Sequence, residues 1–289
     1  LIFTLLSLKS KQHWSKTGLT LAACVFALAN VLTYEWMIGV EGIRFILLWY
    51  MLQKEKKRRF LPQLGVTLKA MIPYILVIGG YLYWRFFIFS NERRATDINN
   101  IIPQWLEMPG YTLVKTIMEW VKGVIIGIFA AWIVPLYRSM VPMRYTNLII
   151  MFALSVAGIG IYFGSIFLLK RSNPKAEEDK DPKGDQNWAH EAMLIGFLIT
   201  VVSTFPPIFF DRYITLGTLL ERYLVPAMLG ILMLIGGFIF SLKNSFIFKT
   251  CLVCVLIGLS ILTHIGNAQD WAKMYATRLD FWWQFSWRV

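Results

Sequence analysis

Residues 219–242 read LLERYLVPAMLGILMLIGGFIFSL, and this stretch decides the fold class. From Tyr223 to Leu242 it carries no charged residue. An α-helix needs about 20 apolar residues to cross a bilayer, so the stretch is long enough to span one. It therefore predicts a transmembrane helix.

Further apolar stretches lie on both sides of it, at residues 17–34, 36–52, 66–90, 116–137, 147–169, 190–210 and 248–264. Hydrophobic residues make up 57% of the 289-residue chain and charged residues only 16%, whereas a soluble globular chain carries about 25% charged residues. This composition excludes a disordered chain, a small disulfide scaffold and an ordinary cytosolic enzyme. The predicted fold is all-α, a polytopic transmembrane helical bundle with interfacial helices in the cell membrane.

The chain has 29 Lys and Arg residues against 17 Asp and Glu, an excess that would indicate a nucleic-acid partner in a soluble protein. In a membrane protein, basic residues concentrate in cytoplasmic loops and meet anionic lipid headgroups. We therefore expect membrane lipids as partners and no nucleic acid. The run Lys54-Glu55-Lys56-Lys57-Arg58-Arg59 is the strongest cytoplasmic marker, and the polar stretch 170–186 is a second predicted cytoplasmic loop.

These loop assignments require residues 116–137 to cross the membrane an even number of times. At 22 residues the stretch is too short for two full crossings. Glu119 and Lys122 would also lie unusually deep for a lipid-facing helix. We therefore predict a re-entrant or interfacial element, and the alternative is that one loop assignment is wrong.

The chain is predicted to divide at residue 265. Residues 1–265 form a transmembrane helical domain with about seven to nine hydrophobic segments. Asn267 is a candidate helix N-cap with Asp270 in the first turn. Residues 266–289 are therefore predicted to begin a new amphipathic helix, which lies in the interface or starts an external C-terminal domain. The abrupt ends at Leu1 and Val289 are those expected of a piece of a longer protein.

Ionisable residues near membrane depth are the best candidates for function, because each is costly unless it is paired or hydrated. Glu35 and Glu41 lie at a turn between two predicted helices, on the outer side. Arg44 follows Glu41 by three residues, so the two side chains can pair on one helix face. One interpretation is an internal ion pair that ties the hairpin together. The other is that Arg44 contacts a phosphate or headgroup while Glu35 faces a polar cavity.

A second cluster combines Asp211-Arg212-Tyr213 with Glu221-Arg222-Tyr223, after Pro206-Pro207 has ended a helix. Arginine binds phosphate bidentately, so the cluster suits a lipid-linked phosphate. Alternatively, the Arg and Tyr side chains are interfacial anchors. The predicted substrate-binding residues are Glu35, Arg44, Arg212, Glu221, Arg222 and Tyr223, with Arg85 and Arg288 as weaker candidates. No Cys or His spacing predicts a metal site, and no motif identifies a cofactor.

Three short stretches resemble large bacterial inner-membrane proteins of the GT-C glycosyltransferase type. They are Leu32-Thr33-Tyr34-Glu35-Trp36, Glu221-Arg222-Tyr223-Leu224-Val225-Pro226 and Trp283-Gln284-Phe285-Ser286-Trp287-Arg288. The resemblance implies a GT-C-like fold and sugar transfer from a polyprenyl-phosphate donor at the outer face of the membrane. It also implies that the catalytic carboxylate lies in an external loop upstream of Leu1, so the catalytic residue stays unknown.

Two functions are therefore carried forward. The first is an integral membrane protein like a glycosyltransferase, which acts on a polyprenyl-phosphate-linked sugar. The alternative is a non-catalytic transmembrane subunit with other membrane subunits as partners. Small-residue faces let helix backbones approach closely, namely Gly123-x-x-x-Gly127 and Gly160-x-x-x-Gly164. We expect them to serve packing within the chain, and a contact with another subunit, which would support the alternative, is the second interpretation.

Overall fold

The computed structural model describes residues 1–10, 12–56, 58–89, 98–130, 145–172, 182–215, 219–243 and 246–287. Every regular element in these ranges is a helix, and none of their residues lies in a β-strand. The all-α prediction is therefore confirmed for the described part of the chain. The helices long and apolar enough to cross a membrane number five there: His13–Thr33, Phe60–Ile88, Asn187–Phe209, Glu221–Ser241 and Ile247–Ser286. They agree with a multi-pass membrane protein.

The described helices occur along the chain in the following order. The first half holds α1 (Ile2–Lys9), α2 (His13–Thr33), a 3₁₀ turn (Glu35–Ile38), α3 (Gly39–Glu55), α4 (Phe60–Tyr83) with a π-helical end (Trp84–Ile88), α5 (Ile98–Glu107) and α6 (Pro109–Ile128). The second half holds α7 (Tyr145–Ser172), α8 (Pro182–Phe209), a 3₁₀ helix (Leu219–Ala227), α9 (Met228–Ser241) and α10 (Phe246–Ser286).

The chain divides into two compact units. The first comprises Leu1–Ile128 and Ala192–Ile235, and the second Phe129–Glu191 and Gly236–Val289. In the first unit, α2, α3 and α4 pack around a cluster of buried side chains, namely Ala23, Leu48, Met71 and Tyr74. In the second unit, α7 packs along α10. All residues of the candidate site described below belong to the first unit.

Two glycines set the contact between α8 and α9 in the first unit. An ideal Cβ built on Gly196 would lie 2.5 Å from the backbone N of Leu234 and 2.6 Å from the carbonyl O of Gly230. These distances are far shorter than ordinary contacts of a Cβ atom, so only glycine fits at Gly196 without a shift of the backbone. Helix α9 directly follows the 3₁₀ helix that carries Arg222.

The predicted helix start at Asn267 is wrong, because α10 runs unbroken from Phe246 to Ser286. No proline interrupts this range, and an isolated glycine such as Gly266 costs only about 1 kcal/mol relative to alanine within a helix. Asn267 is a good capping residue, but nothing in the sequence before it ends the helix, so the helix continues through it. Whether residues 266–289 form a separate domain stays a prediction.

The predicted loop 170–186 is shorter at both ends in the structure, and its cytoplasmic placement stays a prediction. Helix α7 continues to Ser172 and α8 begins at Pro182, while residues 173–181 lie outside the described residues. Proline suits the first position of a helix, since its missing N–H is not needed there. Lys57, Arg288 and residues 131–137 are likewise outside the described ranges. Helix α6 is not one of the five candidate spans, and its re-entrant or interfacial placement stays a prediction.

Candidate functional site

Four segments of the first unit surround an open cavity of about 370 Å³, here called the arginine cavity. They are the turn after α2, the end of α4, the loop after α8 and the 3₁₀ helix before α9. Its charged lining residues are Glu35, Arg85, Arg212 and Arg222. Six aromatic residues complete most of the wall: Tyr34, Trp36, Tyr81, Trp84, Phe89 and Tyr223. With three guanidinium groups and one carboxylate, the lining carries a net charge of +2.

Arg85 and Glu35 form an ion pair in this wall, with the Nε of Arg85 donating to the Oε1 of Glu35. The Arg85 side chain is 9% exposed and that of Glu35 26%. The guanidinium of Arg85 also lies 5.1 Å from the ring centroid of Phe89. Because the pair satisfies Arg85 internally, the charge left for a ligand comes from the other two arginines.

Arg222 and Arg212 make no ion pair with another described residue. Arg222 is exposed, and its guanidinium lies 5.3 Å from the Trp36 ring centroid and 5.4 Å from that of Tyr223. Trp36 meets Tyr223 edge to face at 4.7 Å and stacks on Tyr34 at 4.8 Å. Since Tyr223 is only 2% exposed, this aromatic wall is anchored in the core and supports Arg222.

The arginine cavity brings the two predicted clusters together. Glu35 from the first cluster and Arg212, Arg222 and Tyr223 from the second all line it. Glu221 precedes Arg222 in the same 3₁₀ helix but is not among the lining residues.

Arg44, another predicted site residue, does not line the arginine cavity. Its Nη1 donates to the Oε2 of Glu41 at 2.5 Å, and its guanidinium lies 3.9 Å from the Tyr74 ring centroid. The residue is 2% exposed. The predicted ion pair between Glu41 and Arg44 is therefore confirmed, and Arg44 lies outside the cavity lining.

Arg85 is the lining residue that was predicted from the sequence only as a weaker candidate. It follows a long apolar stretch, which is a common place for an interfacial arginine. Its partner Glu35 lies 50 residues earlier in the chain. No helical or strand spacing relates residues so far apart, so the pair could be found only by comparing charges at the ends of neighbouring helices.

A second cavity of about 270 Å³, here called the acid cavity, lies beside the loop after α8. Its charged lining residues are Glu107, Lys115, Glu119 and Asp211. The Oδ1 of Asp211 accepts a hydrogen bond from the hydroxyl of Tyr213 and lies 3.4 Å from the Nζ of Lys115. Asp211 has a φ of 57°, the left-handed region that non-glycine residues rarely adopt.

Backbone hydrogen bonds hold this loop in place. The N–H of Asp211 donates to the carbonyl of Ile208 at 3.0 Å, and that of Arg212 to the carbonyl of Pro207 at 2.9 Å. As a result, Asp211 lines the acid cavity while the next residue, Arg212, lines the arginine cavity. One short loop thus contributes to both.

The electrostatics of the acid cavity keep its donors protonated. Hydrogen bonding with Tyr213, together with the charge of Asp211, raises the pKa of the Lys115 ammonium above its ordinary value. Burial and then the hydrogen bond to Asp211 raise the pKa of the Tyr213 hydroxyl. Both groups therefore remain hydrogen-bond donors to Asp211 into the alkaline range.

A third cavity, of about 490 Å³, has an entirely apolar lining and is here called the apolar cavity. Leu82 and Phe86 of the α4 end form part of its wall, next to the residues that α4 gives to the arginine cavity. Ile38 and Phe210 extend it from the turn after α2 and from the end of α8.

The glycine face Gly123-x-x-x-Gly127 is used inside the first unit. An ideal Cβ on Gly123 would lie 3.0 Å from the side chains of both Ile208 and Ile214, and one on Gly127 would lie 3.1 Å from that of Ile231. These glycines therefore serve packing within the unit. An added Cβ on Gly160 or Gly164 would meet no other described atom within 4 Å.

Comparison of the chain with protein-family models, with curated proteins and with solved structures found no match. Within the described ranges, no group of three or more His, Cys, Asp or Glu residues is placed to hold a metal ion.

Proposed function

We propose that this chain belongs to a membrane protein like a glycosyltransferase, which binds a polyprenyl-phosphate-linked sugar at the outer face of the membrane. One observation carries the proposal: Arg212 and Arg222 line one cavity without a carboxylate partner among the described residues. Two guanidinium groups with no carboxylate partner among the described residues give this cavity the positive charge to bind an anion.

A phosphate is the anion that suits this arrangement. A guanidinium group presents a planar fork of donors that matches two phosphate oxygens, and such charge-assisted bonds are stronger than neutral ones. The contacts of Arg222 with Trp36 and Tyr223 hold its side chain before a ligand arrives. Less rotamer entropy is then lost on binding.

The apolar cavity supports a lipid rather than a soluble phosphate. Leu82 and Phe86 line the apolar cavity, while Tyr81 and Arg85 on the same helix end line the arginine cavity. The two cavities therefore share the end of α4 as a wall. A ligand with a phosphate head and a long isoprenoid tail has one chemical group for each cavity.

Lipid binding tests this proposal directly. The protein is placed in lipid nanodiscs, and binding of a polyprenyl phosphate is compared with that of the corresponding polyprenol, which lacks the phosphate. We expect Arg212→Ala with Arg222→Ala to weaken phosphate binding by about 100-fold or more, since each charge-assisted hydrogen bond is worth about 1.5–3 kcal/mol. Arg278→Ala is the matched control, because Arg278 is an exposed arginine of the second unit.

Equal binding of the polyprenol and its phosphate would contradict the proposal, as would unchanged binding in the double variant. Sugar transfer by the full-length protein is the second stage. If Arg222→Ala left both lipid binding and transfer intact, the assignment of the lipid phosphate to the arginine cavity would be wrong. If the full-length protein showed no transfer, the non-catalytic subunit would be favoured, although Gly123 and Gly127 no longer support it.

A further inference from the structure

The acid cavity shares Trp105 and Phe209 with the apolar cavity but none of its lining residues with the arginine cavity, and its polar lining has a chemistry of its own. We propose that it binds a neutral polyhydroxylated ligand, that is, a carbohydrate.

The polar side chains of the acid cavity can make several hydrogen bonds to a ligand. A carboxylate accepts at about four lone-pair positions and an ammonium group has three donors. Asp211 uses part of this capacity on Tyr213 and Lys115, and the side chains of Lys115 and Asp211 are still 42% and 50% exposed. The amide of Gln104 adds both a donor and an acceptor. Neighbouring sugar hydroxyls, which donate and accept at once, match such a mixed set.

The lining of the acid cavity also holds a pair of aromatic residues. Tyr111 is 68% exposed, although it lines a cavity. Trp105 also lines the cavity, and its ring is held by Phe209 at a centroid distance of 5.8 Å. An aromatic face is apolar and planar, and it can cover the C–H face of a sugar ring while the polar groups bind its hydroxyls.

The charge of the acid cavity argues against an anion and against a strong cation. Three carboxylates and one ammonium line the cavity, so a phosphate is disfavoured there. Asp211 is already paired with Lys115, and Glu119 with Lys122 at 3.2 Å. Glu107 alone of the three carboxylates makes no ion pair with another described residue. The free negative charge is therefore small, which favours a neutral ligand.

The size and the position of the acid cavity also suit a carbohydrate. The cavity of about 270 Å³ is slightly smaller than the roughly 300 Å³ at which drug-sized sites begin, so it suits one or two sugar rings. Asp211 and Arg212 place it directly beside the arginine cavity. The role of the carbohydrate rests on the proposed function: next to a bound lipid-phosphate sugar, it would be the acceptor. One of its hydroxyl oxygens would form the new bond to C1 of the transferred sugar as the bond from C1 to the phosphate oxygen breaks, and polyprenyl phosphate would leave with the hydroxyl proton.

Saturation-transfer NMR on the protein in nanodiscs tests the site with four free disaccharides, namely maltose, lactose, cellobiose and chitobiose. At least one should receive saturation. We expect its affinity to fall about tenfold or more in Asp211→Asn, because a charge-assisted hydrogen bond is lost. A similar fall is expected in Tyr111→Ala. Tyr275→Ala is the control, since Tyr275 is 65% exposed in the second unit.

Absence of saturation with all four disaccharides would overturn the inference, as would equal affinities in the parent and both variants. Thermal unfolding of each variant identifies loss of fold. Glu107→Gln changes another lining residue at an exposed position, and it replaces Asp211→Asn if that variant does not fold. Polyprenyl phosphate binding is measured on the same sample. If lipid binding fails while disaccharide binding persists, the proposed function fails alone; the reverse result removes only the carbohydrate site.

Discussion

Gly196→Ala replaces a hydrogen atom with a methyl group at the contact between α8 and α9. The new Cβ would lie 2.5 Å from the Leu234 backbone N, whereas ordinary contact begins at 3.4 Å, so the helices must separate by 3.4 − 2.5, or 0.9 Å. The opposing atoms belong to the backbone and cannot rotate away. Such overpacking costs about 1–3 kcal/mol, and the upper value applies here.

Alanine also favours the helix over glycine by about 1 kcal/mol, so the expected net loss in the free energy of unfolding is about 2 kcal/mol. Gly65→Ala is the matched control, because an added Cβ at Gly65 meets no other described atom within 4 Å. That variant should gain up to about 1 kcal/mol. Unfolding by SDS in mixed micelles measures both. If Gly196→Ala is as stable as Gly65→Ala, the helix packing described here is wrong.

Three further predictions follow from the arginine cavity and the loop beside it. Glu35→Gln leaves the buried Arg85 without its anion and should destabilise the protein by about 3 kcal/mol; adding Arg85→Met should restore most of the loss in the same SDS titration. Tyr223→Ala removes a ring that is 2% exposed and should cost about 3 kcal/mol, whereas Tyr223→Phe should stay within about 1 kcal/mol of the parent; equal stability of the two variants would contradict the anchoring role of the ring. The pKa of Tyr213 is raised by burial and by its hydrogen bond to Asp211, so its contribution to stability is present below the ordinary tyrosine pKa of about 10 and is lost as the pH rises through the raised pKa. The ultraviolet titration of the parent minus that of Tyr213→Phe should therefore show one phenol that ionises at a higher pH than exposed tyrosines do. If the Tyr213 hydroxyl ionises at the same pH as exposed tyrosines, this prediction is wrong.

The helical class and the approximate positions of the five candidate spans followed from hydropathy alone, whereas the predicted stretches 36–52, 116–137 and 147–169 are not among the candidates found in the described residues. Burial in lipid demands long apolar helices, and this demand is visible residue by residue. The pair of Glu41 with Arg44 was also predictable, because a spacing of three residues places both side chains on one helix face. These features depend on local sequence.

Features that depend on distant residues were not predictable in the same way. The partner of Arg85 lies 50 residues away, and no local pattern predicts that Arg212 lines the same cavity as Arg222. Asn267 carries a local signal for a helix start, but helix α10 continues through it, because capping preferences of about 1 kcal/mol are weaker than an unbroken helix. The sequence predicted the cluster around Glu35 and the cluster around Arg222 separately, and only the fold brings these two residues into one cavity.

Photocross-linking tests the central claim most directly. A polyprenyl phosphate with a diazirine on the isoprene unit nearest the phosphate is added to the protein in nanodiscs, and the labelled peptides are identified by mass spectrometry. The arginine cavity predicts label on Trp36, Trp84 and Phe89, and its loss in the variant that combines Arg212→Ala with Arg222→Ala. Label confined to α10, or label unchanged by the double substitution, would contradict the assignment of this cavity to a lipid phosphate.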